Sequence, residues 1–119
     1  MEIELNDLLK MKEPLQRLIN EKLPLKVAFR LNKLIKTVQE NANIVEEERV
    51  KLVTRMGKKN KKTGEIKVPD EKVQEFQESF LELMQEKIII DDFKFSIENF
   101  EKVELTAADM NTLDFMFEE

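Results

Sequence analysis

One stretch leaves this chain little choice of fold. Between Pro24 and Gly57, apolar residues recur at Leu31, Ile35, Val38, Ala42, Val45, Leu52 and Met56, in steps of three, four or seven. That spacing puts them on one face of a helix. Arg49 occupies the apolar slot that the pattern leaves open. Pro24 suits a helix start and Gly57 a helix stop. A helix over 24–56 would run about 50 Å at 1.5 Å per residue. A helix of that length cannot cover its stripe against itself, so it needs partner helices.

The flanks supply them. Ile3 and Leu5 alternate with Glu2 and Glu4, the period of a short strand over 2–5. Asn6 is placed to cap a following helix with Leu8, Leu15, Leu18 and Ile19 on one face, and Pro14 forces a kink or a restart near Glu13. Residues 57–69 hold both glycines and the lysines Lys58, Lys59, Lys61, Lys62 and Lys67, with Asn60 and Gly64 suited to left-handed turns. Ile66 and Val68 add a very short extended stretch. Asp70 is placed to cap a helix over 70–86 with the stripe Val73, Phe76, Phe80, Leu83 and Met84. The short loop folds this helix antiparallel onto the end of the long one. The runs 88–90 and 93–97 read as strands, since the first is three isoleucines and the second alternates Phe93, Phe95 and Ile97 with Lys94 and Ser96. Thr106 with Asp109 three residues on forms a capping-box variant before Met110, Leu113 and Phe117. The expected architecture is α+β and mostly α. It is an antiparallel long-helix hairpin with an N-terminal strand and helix over 1–22, and a small two- or three-stranded sheet at one end. A C-terminal helix ends the segment 87–119, and the whole of 1–119 forms one domain.

Composition narrows the chemistry. The 119 residues include no Cys and no His, so disulfides, thiolate catalysis and imidazole bases or ligands are excluded. The N-terminus lacks a basic start and apolar core, and the longest apolar run is far short of the ~20 residues that span a bilayer. A cytoplasmic protein with no membrane association is expected. Charge is divided unevenly along the chain. Residues 1–69 carry 16 Lys/Arg against 10 Asp/Glu, net +6, and residues 70–119 carry 4 against 15, net −11. Such a split suits internal complementarity between the halves or head-to-tail association.

Few motifs carry chemistry. Pro69-Asp70 followed by Asp92-Phe93-Lys94 matches the arrangement of Mg²⁺-dependent nucleases in form, where two carboxylates hold the cation and a lysine positions water. The helical stripe over 71–86 favours a capping role for Asp70 instead. Glu46, Glu47 and Glu48 point about 100° apart on a helix, so they read as a solvated face paired with Lys51. No catalytic residue, metal ligand or cofactor is implied. Candidate partner-binding residues remain. Arg49 either snorkels along the stripe or pairs with an acid of the C-terminal half. Lys58, Lys59, Lys61 and Lys62 form a basic loop whose default role is a solubilising tip. Phe115 and Phe117 alternate at the C-terminus, and one of them is a candidate docking residue. A nucleic-acid partner is disfavoured, because interleaved aromatics and a wider basic surface are missing.

Four stretches together resemble a family of small uncharacterised proteins of tailed bacteriophages and prophages: Leu23-Pro-Leu-Lys-Val-Ala-Phe-Arg-Leu-Asn-Lys-Leu34, Glu46-Glu-Glu-Arg-Val-Lys-Leu-Val53, Gly64-Glu-Ile-Lys-Val-Pro69 and Leu105-Thr-Ala-Ala-Asp-Met110. The resemblance implies a phage origin and expression in a bacterial host, and it implies no activity. The expected function is that of a non-enzymatic accessory or host-engaging factor acting through protein–protein contacts. A self-associating assembly or chaperone protein is the alternative, and a nuclease-like enzyme the remote one.

Overall fold

In the computed structural model, which describes residues 1–118, the apolar stripe lies on one unbroken helix, α3 (Leu25–Met56). Leu31, Val38, Val45 and Met56 are buried, and Ile35, Ala42 and Leu52 are half-buried. Leu34, outside the expected stripe, is fully buried as well, because the elements packed on the first half of α3 widen the covered face. Ahead of it come strand β1 (Glu2–Glu4) and helices α1 (Leu5–Lys10) and α2 (Lys12–Leu18). The break falls at Met11 and puts Pro14 in the first turn of α2, where a missing N–H removes no helical bond. Asn6 does not cap this segment. Helix begins already at Leu5, whose N–H donates to the Glu86 carbonyl at 2.9 Å, so the strand passes directly into α1.

Past α3 the chain forms a ribbon of β2 (Lys58–Lys59) and β3 (Ile66–Lys67), paired antiparallel. Gly64, at φ +75°, takes the left-handed position of the turn. Asn60 does not share it, and its side-chain Oδ1 instead accepts from the Lys62 N–H at 2.8 Å. A 3₁₀ turn (Asp70–Lys72) leads into α4 (Val73–Met84), which returns along the far end of α3. Asp70 lies inside that turn after Pro69 and makes no side-chain cap, contrary to the sequence expectation.

Strand β4 (Lys87–Ile89) then pairs antiparallel with β1 in the register Glu2↔Ile89, Ile3↔Ile88 and Glu4↔Lys87. The sheet stops at two strands. The expected strand over 93–97 is irregular chain with a single parallel bridge from Phe95 to Phe117. Phe93 and Phe95 are buried and Lys94 is exposed, as alternation requires, but Ile97 is 51% exposed at the start of a 3₁₀ turn, and the two phenylalanines join a cluster of four rings in place of a strand ladder. Phe95 stacks on Phe93 at 6.4 Å and meets Phe100 edge-on at 6.1 Å, and Phe100 meets Phe117 edge-on at 5.8 Å. The chain closes with α5 (Ala107–Leu113), whose Thr106–Asp109 capping box forms as the sequence predicts.

The molecule therefore has a body and an arm. The core cluster joins Leu8, Met11, Leu15 and Leu18 to Leu31, Leu34 and Val38 and to the residues between Ile90 and Phe117. The arm is the distal part of α3, the ribbon and α4. Beyond Val45 its sole buried apolar residue is Met56, and no residue of α4 is buried. Helix, 3₁₀ turns included, accounts for 63% of the described residues, well above the usual third or so, which makes the fold α+β and mostly α.

Candidate protein-docking face at the start of the long helix

The first two turns of α3 expose two large apolar side chains one helical turn apart. Leu25 is 87% exposed and Phe29 63% exposed. At 100° per residue Phe29 stands about 160° from Leu31, on the side of the helix away from the core. Lys26 and Arg30 line the same shallow hollow as the pair, and Lys33 approaches the Phe29 ring. The Lys33 Nζ lies 5.6 Å from the Phe29 ring centroid, and the Arg30 guanidinium lies 5.2 Å over the Phe95 ring. Such contacts hold the cations close to the aromatic face while leaving their charge at the surface. The result is an apolar centre within a cationic rim, on a helix anchored by Leu31 and Leu34.

The sequence did not single out Leu25 or Phe29. The available signal was an apolar pair at i and i+4 on the face opposite the main stripe, set among lysines.

The residues expected to bind partners are dispersed. Arg49 is on the arm, where its guanidinium donates twice to the Glu46 carboxylate, Nε to Oε2 at 3.0 Å and the terminal nitrogen to Oε1 at 2.7 Å. That partner is on the same helix, so of the two readings of Arg49 the ion pair with an acid of the C-terminal half does not form, and the guanidinium stays at the surface in a local pair. The Arg49 side chain remains 43% exposed. The hydrogen bonds hold the Glu46 carboxyl below the usual carboxylate range and raise Arg49. Lys58, Lys59, Lys61 and Lys62 are exposed at the arm's tip. Phe117 is 7% exposed within the aromatic cluster, which removes it as a docking residue. Phe115 is half-buried against the core, and its carbonyl accepts from Lys94 Nζ at 2.8 Å.

The carboxylates of the nuclease-like pattern do not converge. Asp70 opens the turn before α4, whereas Asp92 follows β4 and lies 3.3 Å from the Met1 ammonium. Among the described residues, no three carboxylates come close enough to hold a metal ion, and no helix is long and apolar enough to cross a membrane. No known protein family, curated protein or solved structure matches the chain.

Proposed function

We propose that this chain is a non-enzymatic interaction protein that binds a partner protein through the Leu25–Phe29 face. One observation carries the reading: two large apolar side chains stand 87% and 63% exposed inside a rim of Lys26, Arg30 and Lys33. Covering a leucine and a phenylalanine contributes roughly 1.5–3 kcal/mol each to a contact, before the cost of association. The rim selects a partner that presents apolar side chains flanked by Asp or Glu, and it speeds encounter with an acidic surface. The resemblance to small phage proteins would make that partner a host or phage protein in the bacterial cytoplasm. Nucleic acid fits less well, because this face offers a single exposed ring, Phe29, rather than a run of stacking aromatics.

A photo-crosslinking residue at position 26 tests the reading, with wild-type and Phe29→Glu chains compared in host extract. A discrete adduct with an acidic protein should form on the wild-type chain and vanish in the variant at an unchanged circular dichroism spectrum. An identical adduct pattern in both chains refutes it.

A further inference from the structure

The arm is the least covered part of the molecule. Its two helices enclose a groove of ≈ 340 Å³, with Leu52, Phe80 and Leu83 at its base and Glu48, Lys51 and Arg55 along one wall. Ile44 continues that wall one turn earlier and is 53% exposed. Phe76 and Phe80 stack at 6.2 Å along α4, yet both stay half-exposed. A pair of helices of about 18 Å each leaves such a seam open on one side.

Whole-molecule dimensions show how much surface is left uncovered. The chain exposes 8826 Å², where a compact monomer of its mass exposes about 6,700 Å². Its radius of gyration is 18.0 Å, where a compact domain of this length has about 13.5 Å. The excess of about 2,000 Å² per chain falls in the range that obligate dimers bury.

Charge indicates what covers the arm. The tip, residues 58–67, carries Lys58, Lys59, Lys61, Lys62 and Lys67 against Glu65, net +4. At the arm's base, Glu82 and Glu86 lie at the end of α4, which joins the Glu2, Glu4, Asp7 and Lys87 surface through the bond from the Leu5 N–H to the Glu86 carbonyl. Those five carboxylates against one lysine give net −4. The arm is thus positive at one end and negative at the other by equal amounts, with an apolar seam between. Two arms laid parallel set tip against tip and repel. Laid antiparallel, each tip meets the other's base.

We infer that a second copy of this chain covers the arm: two arms pair antiparallel about a two-fold axis into a four-helix bundle, each lysine tip against the acidic base of its partner. The contact is self-complementary and closes on itself, as a two-fold interface must. Its surface is separate from the Leu25–Phe29 face and stands independently of that reading.

Sedimentation equilibrium of the full chain, with two charge-reversed variants, tests the pairing. One variant reverses the tip (Lys58→Glu, Lys59→Glu, Lys61→Glu, Lys62→Glu) and the other the base (Glu2→Lys, Glu4→Lys, Glu82→Lys, Glu86→Lys). The wild-type chain should sediment at twice 14.1 kDa at micromolar concentration, with an affinity that falls as salt rises. Each variant alone should self-associate at least tenfold more weakly, and a one-to-one mixture should regain the wild-type affinity, since both contacts then pair opposite charges. Phe29→Glu should dimerise as the wild type does. A wild-type chain that stays monomeric at 100 micromolar, or a mixture no tighter than its components, overturns the inference.

Discussion

Gly57 is glycine because nothing larger fits beside it. A Cβ there would lie 2.5 Å from the Val53 carbonyl oxygen and 2.6 Å from the Ile66 Cγ2. Its backbone is extended at φ −87°, so close approach explains the residue and the left-handed helix stop does not. Gly57→Ala should cost about 1–3 kcal/mol through overpacking where the ribbon leaves α3, read by denaturant melts. A neutral result would mean that the ribbon shifts without resistance. Arg49 behaves otherwise. Its stripe position suggested burial, but the guanidinium pairs with Glu46 one turn back on the same exposed surface. Arg49→Leu should therefore melt at or above the wild-type temperature, and a severe loss would show that the arginine is tied elsewhere. Both residues were noticed in the sequence. Their physical reasons depend on neighbours that only the folded chain brings close.

Elements were legible where local chemistry decides them. The length of α3, an interruption of the N-terminal helix around Pro14, the Thr106–Asp109 box and the α4 stripe each follow from spacing and capping within a few residues. The segment over 93–97 keeps Phe93 and Phe95 inward and Lys94 exposed yet forms no strand, because alternation marks an inward face without supplying a partner strand, and here a single bridge at Phe95 takes the place of a ladder. Another tertiary device is the clasp between α2 and α5, where the Arg17 guanidinium donates to the Asp109 carboxylate. Partial burial pushes the Asp109 carboxyl up, but bonds from Arg17 and from the Thr106 N–H, helped by the Arg17 charge, outweigh it and hold the group below its ordinary value near 3.8. A depressed folded-state value stabilises the fold above the unfolded-state pKa, and the contribution disappears as pH falls through the folded value. Thermal melts from about pH 5 down to about pH 2 should therefore show the gap between the wild type and Asp109→Asn closing with acid. A gap that stays constant across that range would remove Asp109 as its source.

For the whole molecule, the uneven charge is the telling feature. Between its basic and acidic halves, the described residues form the Arg17–Asp109 pair and the contact of the Met1 ammonium with Asp92. The other two ion pairs, Arg49–Glu46 and Lys51–Glu48, stay within α3. Internal complementarity thus takes up little of the asymmetry, and the lysine tip projects away from the acidic C-terminal segment packed on the body. Replacing Lys58, Lys59, Lys61 and Lys62 by Ser should leave the stability of the dilute chain, read by denaturant melts, within about 0.5 kcal/mol of wild type. A large drop would place the tip against the body. The sequence by itself determined the helical stripes, the Thr106–Asp109 cap and the uneven charge of the two halves, because these depend on 3.6-residue periodicity, capping and composition, all properties of neighbours along the chain. Tertiary structure alone decided that Leu25 and Phe29 face solvent, that Phe117 is core and that the arm's seam stays open. Each of those outcomes depends on which distant segment reaches a given face, and periodicity marks a face as apolar without saying what, if anything, covers it.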